Sequence, residues 1–303
     1  MSAEDEPYDT PAAAPAAVPA ALSAAVPATF ARAAVRPRLP STLRIGVLRA
    51  RLELLQYFRQ RDAVVFTFGY PLIMLLVFGS IFTGDVQGTK IPFAQYFTAG
   101  ITASGLMSVG FQNVSTAIAS DRTDKTVKRL RGLPMPPLSY FIGKLLAALV
   151  EGLAQTSLMI AVAVGLFSVH LPSTPERWLT LGWVFVLGLG TCAGLGVLLG
   201  GWVKDGRTAA AVTLPPFLVL QFVSGVFFPL NQLSPGLRDF GQIFPLTWMC
   251  RGLRSVFLPD QALAAEPTHA WLLPQTAVVL AAWLVGSLLL AARTFRWKEK
   301  YER

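Results

Sequence analysis

The sequence has few charged residues for its length. Of its 303 residues only 14% are Asp, Glu, Lys or Arg, whereas soluble domains carry about 25%. The uncharged residues gather in runs, and a helix of about 20 apolar residues spans the hydrocarbon core of a bilayer. This pattern excludes an ordinary soluble domain and predicts an all-α polytopic membrane protein with six transmembrane helices. The predicted spans cover residues 63–82, 96–119, 138–169, 178–203, 208–229 and 271–292.

Cysteine and histidine are also scarce, with two residues of each. Cys192 falls inside a predicted span and Cys250 lies on the outer side, so the two cannot form an intrachain disulfide. We expect a packed thiol at Cys250, with a disulfide to a second copy as the alternative. His170 and His269 have no further metal ligands near them, and the run at 84–90 lacks the spacing of a phosphate-binding loop. The chain is therefore predicted to hold no metal or nucleotide and to be no enzyme by itself.

Acidic residues are outnumbered, and the net charge is +9. All but five of the 26 Lys and Arg fall on one side of the six-span arrangement. Cytoplasmic loops of membrane proteins carry such an excess of Lys and Arg, so we place this side and both termini in the cytoplasm. The basic charge therefore indicates orientation and some attraction to anionic lipids, rather than a nucleic-acid partner.

The first forty residues lack the features of a signal peptide. Their start is acidic, and an Ala/Pro-rich stretch follows in which repeated prolines prevent a helix. We predict a disordered cytoplasmic tail at residues 1–40 and a six-span membrane domain at residues 41–303.

A basic amphipathic helix is predicted between the tail and the first span. Leu48, Leu52 and Leu55 recur at spacings of three and four residues, and arginines occupy the other faces. Such a helix suits the cytoplasmic membrane interface, and a cytosolic helix packed on a partner is the alternative. The charged positions singled out in this helix are Arg49, Arg51 and Glu53.

Polar residues inside the spans are candidates for function. Ser104, Ser108, Gln112 and Ser115 form a stripe on the second span, which indicates either a translocation path or hydrogen bonds between helices. Glu151 lies within the third span, where a carboxylate either packs against a partner or takes part in gating or substrate contact.

Small residues and prolines mark the later spans. Two Gly-x3-Gly pairs in the fourth span, at 190–194 and 196–200, predict close helix packing. Pro215 and Pro216 predict a break in the fifth span.

The segment at 228–269 is too apolar for a free loop, yet prolines divide it into pieces too short to cross a membrane. Ser234 followed by Pro235 is typical of a helix start. We predict two short re-entrant helices that enter the outer leaflet between spans five and six. The residues singled out in this segment are Pro229, Pro245 and Arg254.

This order of elements resembles the type-2 ABC exporter permeases, which share the ABCG-like transmembrane fold. One stretch that carries the resemblance is 224–254, and the other begins at DRTDKTVKRLRGLPMPPLSYFIGK. In the second stretch Thr123 and Lys125 depart from the family's usual Glu and Gly. The wording LRGLPMPPLSY is most similar to actinobacterial drug-resistance permeases of the daunorubicin/doxorubicin type. The residues of this stretch that fit the family pattern are Asp121, Arg122, Thr126, Leu130, Pro134, Gly143 and Lys144.

The resemblance implies a permease of an exporter in the plasma membrane that moves an amphiphilic compound, such as an antibiotic, out of the cell. It implies a homodimer with two copies of a separate ATPase, which would bind ATP and Mg²⁺, while this chain binds no cofactor. The alternatives are export of a lipid-linked glycan, a proton-coupled transporter that uses Glu151, and a membrane enzyme or assembly factor. The implied ATPase-coupling residues are Asp121, Arg122, Lys125, Thr126, Arg129, Leu130 and Pro134. The implied pathway residues are Ser104, Ser108, Gln112, Glu151, Leu220 and Phe222.

Overall fold

The structure is a computed structural model that describes residues 41–86, 89–133 and 135–294. The predicted disordered tail at residues 1–40 lies outside the described residues, as does Pro134. Most of the described residues are helical, and a π-helical turn at Ser108–Asn113 joins two α-helices. The α-helices are, in chain order, α1 (Thr42–Arg59), α2 (Arg61–Ile81), α3 (Phe93–Met107), α4 (Val114–Thr123), α5 (Thr126–Arg131), α6 (Pro137–Phe167), α7 (Pro175–Trp202), α8 (Gly206–Val223), α9 (Pro235–Ile243), α10 (Pro245–Phe257) and α11 (Leu273–Thr294).

Five of these helices are long and apolar enough to cross a membrane, namely α2, α6, α7, α8 and α11. They match five of the six predicted spans. The predicted second span falls on α3, the π-helical turn and α4, and α3 alone has only 15 residues. The backbone stays helical through Ser108 and Val114, so these three elements form one helical run.

Two hydrogen bonds define the ends of the helix bundle. Arg122, next to the last residue of α4, donates to the backbone oxygen of Val203 just after α7 at 3.2 Å. Arg177, near the start of α7, donates to the backbone oxygen of Leu258 just after α10 at 3.0 Å. We call residues 121–133, which contain the end of α4 and all of α5, the hairpin. The end of the bundle that carries α5 is the hairpin end, and the end that carries α9 and α10 is the opposite end.

Helix α1 lies along α6 at the hairpin end. Gly46 allows this close approach, because a Cβ atom there would overlap the side chain of Ile142. The predicted apolar stripe faces away from the protein, since Leu48, Leu52 and Leu55 are each more than half exposed. An exposed apolar stripe is the surface that an interfacial helix presents to lipid.

The glycines of α7 pack against neighbouring backbones, as the Gly-x3-Gly pairs predict. A side chain at Gly196 or Gly200 would overlap backbone oxygens of Gly110 and Ser115 in the second-span run. Gly194 in turn faces Ser287 of α11. The prediction of close packing is therefore confirmed, and it locates α7 between the second-span run and α11.

The predicted break at Pro215 and Pro216 is wrong, because α8 continues through both prolines without interruption. Adjacent prolines remove the N–H donors of only two neighbouring hydrogen bonds, and the residues on either side keep theirs. Membrane helices tolerate this loss where neighbouring groups satisfy the freed carbonyls.

The apolar segment at the opposite end forms α9 and α10, which confirms two short helices there. Ser234 and Pro235 stand at the start of α9 as predicted, although the Ser234 side chain makes no capping hydrogen bond. Leu237, Phe240 and Ile243 of α9 are exposed. Helix α10 is buried along nearly its whole length and packs against α3, α7 and α11.

Both cysteines are buried free thiols. The Cys192 thiol lies 3.7 Å from the sulfur of Met249, the residue before Cys250. The expectation of a packed thiol at Cys250 is confirmed.

Candidate functional site

A cavity of about 570 Å³ opens at the hairpin end. Its walls come mainly from α1, α4 and α6, with further lining from the end of the π-helical turn, Ala63 of α2 and Thr126 of α5. The lining includes charged residues from α1, α4 and α6 together with the predicted coupling residues Asp121 and Thr126. The sequence-predicted residues at this end therefore border one space.

Four charged side chains form a cluster at the mouth of this cavity. The Lys144 ammonium of α6 lies 2.6 Å from the Glu53 carboxylate of α1 and 2.8 Å from the Asp121 carboxylate of α4. Arg49 of α1 pairs with Glu53 at 2.9 Å and with Asp121 at 3.5 Å. Two cations thus balance two carboxylates, and the cluster, which we call the mouth cluster, joins α1, α4 and α6.

Tyr140 supports the mouth cluster from α6. Its hydroxyl donates to the Asp121 carboxylate at 2.9 Å, and the Arg49 guanidinium stands 5.2 Å from the ring centre. A cation at this distance from an aromatic face is attracted by the ring. Asp121 is therefore held by three neighbours, which gives α4 a fixed end at the start of the hairpin.

Arg122 fastens the same end of α4 to α7. Its guanidinium donates to the backbone oxygens of Gly200, Gly201 and Val203 at the end of α7. The last carbonyls of a helix lack partners within the helix and carry partial negative charge, so a guanidinium stabilises them. Thr123 adds a hydrogen bond to the backbone oxygen of Lys204 at 3.3 Å. Asp121 and Arg122 thus position the hairpin.

The hairpin changes direction at Lys125. This residue adopts the left-handed conformation with a φ of 57°, between the end of α4 and the start of α5. Helix α5 ends at Arg131, and the turn at Lys125 was not predicted. The left-handed backbone explains why a glycine at this position suits the family that the sequence resembles.

Helix α5 has one buried face and one exposed face. Val127 is buried, and Leu130 is partly buried against the core. Arg129 and Lys125 are exposed, while Thr126 is partly buried beside the cavity. The exposed basic face of α5 is therefore available to another molecule.

Replacing Lys125 with Gly is expected to raise the free energy of unfolding by about 1 kcal/mol, because glycine adopts the left-handed conformation without a Cβ clash. The measurement is equilibrium unfolding of the purified chain in mixed micelles. The matched control is Arg129→Gly, another exposed basic residue with helical backbone, which is expected to lower stability by about 1 kcal/mol. Equal losses in both variants would contradict the assigned strain at Lys125.

A polar group lies at the deep end of the cavity. The Asn113 amide donates to the Thr67 hydroxyl at 3.1 Å and to the Glu151 carboxylate at 3.4 Å. Tyr57 of α1 also lines the cavity, and burial raises the pKa of Tyr57 to about 12, with the nearby Glu151 carboxylate adding to the shift. Four elements, namely α1, α2, the π-helical turn and α6, meet here.

The predicted polar stripe of the second span does not line this cavity. Ser104 and Ser115 are fully buried, and neither hydroxyl has a hydrogen-bond partner in the described residues. Ser108 donates to the Gln112 side chain at 2.9 Å within the π-helical turn. The wide turn interrupts the regular spacing on which the stripe was predicted. A role for these residues in a pathway stays a prediction.

The two pathway residues predicted on α8 lie differently. Leu220 is buried, whereas Phe222 is half exposed. On the same helix Gln221 is fully buried and accepts a hydrogen bond from the Tyr70 hydroxyl of α2 at 2.9 Å. Their assignment to a pathway also stays a prediction.

A second charge cluster lies at the opposite end. Arg254 of α10 pairs with Glu266 at 3.0 Å, donates to the Gly225 backbone oxygen, and stands 4.1 Å from the ring centre of Tyr96. Arg251, one turn earlier, lies 3.5 Å from the other Glu266 oxygen. We call this group the buried arginine cluster, because all three charged side chains are at most 1% exposed.

Sequence reasoning missed several of these residues. Asn113, Tyr57 and Glu266 were not predicted, and only Arg254 of the buried arginine cluster was singled out. The available signal for the buried arginine cluster was a Glu that follows Arg251 and Arg254 in the sequence. Glu266 lies in a segment without helical periodicity, so its position relative to them could not be predicted. Within the described ranges, no three His, Cys, Asp or Glu side chains come together as metal ligands.

This chain is similar in sequence to known transporter proteins. Residues 48–258 match the family described as ABC-2 type transporter. ABC transporter G family member 52 of Oryza sativa subsp. japonica is 21% identical over 201 residues, or 66% of this chain and 14% of that protein. The probable multidrug ABC transporter permease YbhR of Escherichia coli is 23% identical over 173 residues, or 57% of this chain and 45% of that protein. The chain thus spans less than half the length of these relatives, and the likeness to actinobacterial permeases stays a prediction.

Proposed function

Because this chain belongs to the ABC-2 type transporter family, we propose that it is the membrane permease subunit of an ATP-driven exporter. The observation that carries the proposal is the hairpin, where the fixed end of α4 leads into α5 and its exposed basic face. A separate ATPase subunit binds ATP and Mg²⁺ and docks at this face. In this proposal the chain itself carries out no chemical step.

In the proposed topology the protein lies in the plasma membrane and crosses it six times. Both termini lie in the cytoplasm. The helical run from Phe93 to Thr123 serves as the second span, since 31 helical residues extend about 45 Å. The exposed apolar residues of α9 support a re-entrant position in the outer leaflet. The hairpin end then faces the cytoplasm, where an ATPase meets ATP.

The proposed coupling route runs from α5 into the membrane through rigid contacts. A push on α5 reaches α4 across the turn at Lys125, and the mouth cluster passes it to α1 and α6. Arg122 passes the same movement to the end of α7. These ion pairs and hydrogen bonds form a contiguous network from α4 to α1, α6 and α7, which supports the proposed route.

The proposed complex contains two copies of this chain and two ATPase subunits. The proposed substrate is an amphiphilic compound, and the similarity to the E. coli probable multidrug permease supports this class. The half-exposed Phe222 of α8 remains a candidate for contact with substrate or with the second copy.

The experiment begins with the ATPase that copurifies with the tagged chain from its native host. The complex is reconstituted in liposomes, and ATP-dependent transport of the amphiphilic dye rhodamine 6G is measured. We expect Arg129→Glu to lower the transport rate about tenfold, since it reverses a charge on the docking face.

The matched control is Lys90→Glu, which reverses an exposed charge at the opposite end. This variant is expected to transport at the wild-type rate. If a triple replacement of Thr126, Arg129 and Leu130 also transports at that rate, the docking site is elsewhere. If no ATPase copurifies and the purified chain alone turns over a substrate, the permease proposal itself is wrong.

A further inference from the structure

We propose that the deep end of the hairpin-end cavity binds the ammonium group of an amphiphilic amine, with the Glu151 carboxylate as its counter-charge. The residues that form this site are Tyr57, Asn113 and Glu151, with Thr67 behind Asn113. The inference rests on the proposed function in one respect, which is that the exporter moves such amines. Binding itself requires neither ATP nor the ATPase.

The size and position of the cavity suit such a ligand. Pockets for small molecules have volumes of about 300–1,000 Å³, and this one has about 570 Å³. It opens at the hairpin end, and Glu151 lies two helical turns farther along α6 than Lys144 of the mouth cluster. An amine that enters past the mouth cluster therefore reaches a carboxylate at the inner wall.

The charges of the cavity leave Glu151 without a cation. The other carboxylates of the lining are Glu53, Asp121 and Asp124. Lys144 and Arg49 already balance the first two, and the remaining lining charges, Asp124 and Arg59, are exposed. Glu151 is 7% exposed and forms no ion pair in the described residues. A buried carboxylate without a counter-charge is costly, so the site is completed by a ligand that brings a positive charge.

The hydrogen-bond groups at the deep end suit an ammonium. Among the described residues, Glu151 receives its one hydrogen bond from Asn113 at 3.4 Å, which is long for such a bond. The Tyr57 hydroxyl is buried beside Thr67, Asn113 and Glu151. An ammonium carries three N–H donors, which the Glu151 carboxylate and the Tyr57 oxygen can accept.

The donor set does not suit a metal ion. Mg²⁺ and Ca²⁺ are bound by six or more oxygens and usually by more than one carboxylate. Glu151 is the one carboxylate at the deep end, and no metal-binding group of three acidic, His or Cys residues occurs in the described ranges. A monovalent organic cation matches a single buried carboxylate.

The π-helical turn places Asn113 at this site. As the last residue of the turn it reaches both α2 and α6, through Thr67 and Glu151. Single π-helical turns within α-helices occur often at functional sites, because the extra residue redirects side chains. Through Asn113 the π-helical turn therefore holds the Glu151 carboxylate toward the cavity.

The test compares two fluorescent probes that differ in one charge. Dansylcadaverine carries a primary ammonium, and its N-acetyl derivative is neutral. The full chain is placed in nanodiscs of zwitterionic lipid, and binding is followed by fluorescence anisotropy with empty nanodiscs subtracted. We expect the wild-type chain to bind dansylcadaverine about tenfold more tightly than the neutral probe. Glu151→Gln is expected to abolish this preference.

The control for the loss of one negative charge is Glu176→Gln, at an exposed position at the start of α7. It is expected to keep the full preference for the ammonium probe. Equal affinities of the wild-type chain for both probes would overturn the inference. A preference that survives in Glu151→Gln would overturn it as well.

A second variant tests the site if Glu151→Gln fails to fold. Ala117→Phe fills the cavity from α4, where Ala117 is a partly exposed lining residue. It is expected to weaken dansylcadaverine binding about tenfold, and unchanged binding would overturn the inference. If the ATPase complex transports rhodamine 6G but the chain binds both probes equally, only this binding site is rejected. Ammonium binding at Glu151 without ATP-driven transport would reject the proposed function alone.

Discussion

Replacing Lys144 with Met is expected to lower the free energy of unfolding by about 3–5 kcal/mol. Lys144 is 4% exposed and lies within 2.8 Å of both Glu53 and Asp121. Without its ammonium, Arg49 alone faces two largely buried carboxylates, at 2.9 and 3.5 Å. Removing one member of a buried ion pair is costly because the remaining charge can neither reach water nor find a partner.

The measurement is equilibrium unfolding in mixed micelles, followed by the change in helical circular dichroism. Adding Glu53→Gln to Lys144→Met is expected to recover part of the loss, since one cation then faces one carboxylate. Lys90→Met is the control at an exposed position and is expected to change stability by about 0.5 kcal/mol or less. A loss in Lys144→Met as small as that in Lys90→Met would mean that the mouth cluster contributes little to stability.

The same variant also tests coupling. If the mouth cluster passes movement from α4 to α1 and α6, Lys144→Met should separate the two activities of the reconstituted complex. ATP hydrolysis is expected to continue while dye transport falls, because the ATPase subunits remain intact. A parallel fall in both would indicate that the complex does not assemble.

The sequence predicted those features that depend on neighbouring residues. The start of α9 follows from Ser234 and Pro235, and the packing of α7 follows from glycines spaced four residues apart. Such features can be predicted because they depend on the preferences of residues that are close together in the sequence. The resemblance did not predict the turn at Lys125.

The missed features depend on residues far apart in the chain. Lys144 and Glu53 are 91 residues apart, and nothing in either neighbourhood identifies the other as its partner. The π-helical turn inserts one residue into a regular helix, and the residues at 108–113 carry no distinctive signal for it. Asn113, at the end of that turn, donates to Glu151, and regular helical spacing gave no indication of this contact.

Replacing Glu266 with Gln is expected to cost about 3–5 kcal/mol, because it leaves two buried guanidinium groups without a carboxylate. Glu266 is 1% exposed, pairs with Arg254 at 3.0 Å, and lies 3.5 Å from Arg251. The pair holds α10 to the 3₁₀ turn at Asp260–Ala265, which precedes Glu266, and Arg254 also contacts Tyr96 of α3. The loss is expected to appear first as separation of α10 from α3, detectable by faster hydrogen exchange in both helices.

The contrasting variant within this cluster is Arg251→Met. None of the three nitrogens of Arg251 makes a hydrogen bond in the described residues, and two guanidinium groups share one carboxylate. Removing Arg251 leaves Arg254 and Glu266 as a balanced pair, and Met fills much of the vacated volume. The expected change in the free energy of unfolding is about 1 kcal/mol or less, since the lost contact with Trp248 offsets the relief of repulsion. If Arg251→Met costs as much as Glu266→Gln, both guanidinium groups are needed, and the balance of charge does not explain the stability of this cluster.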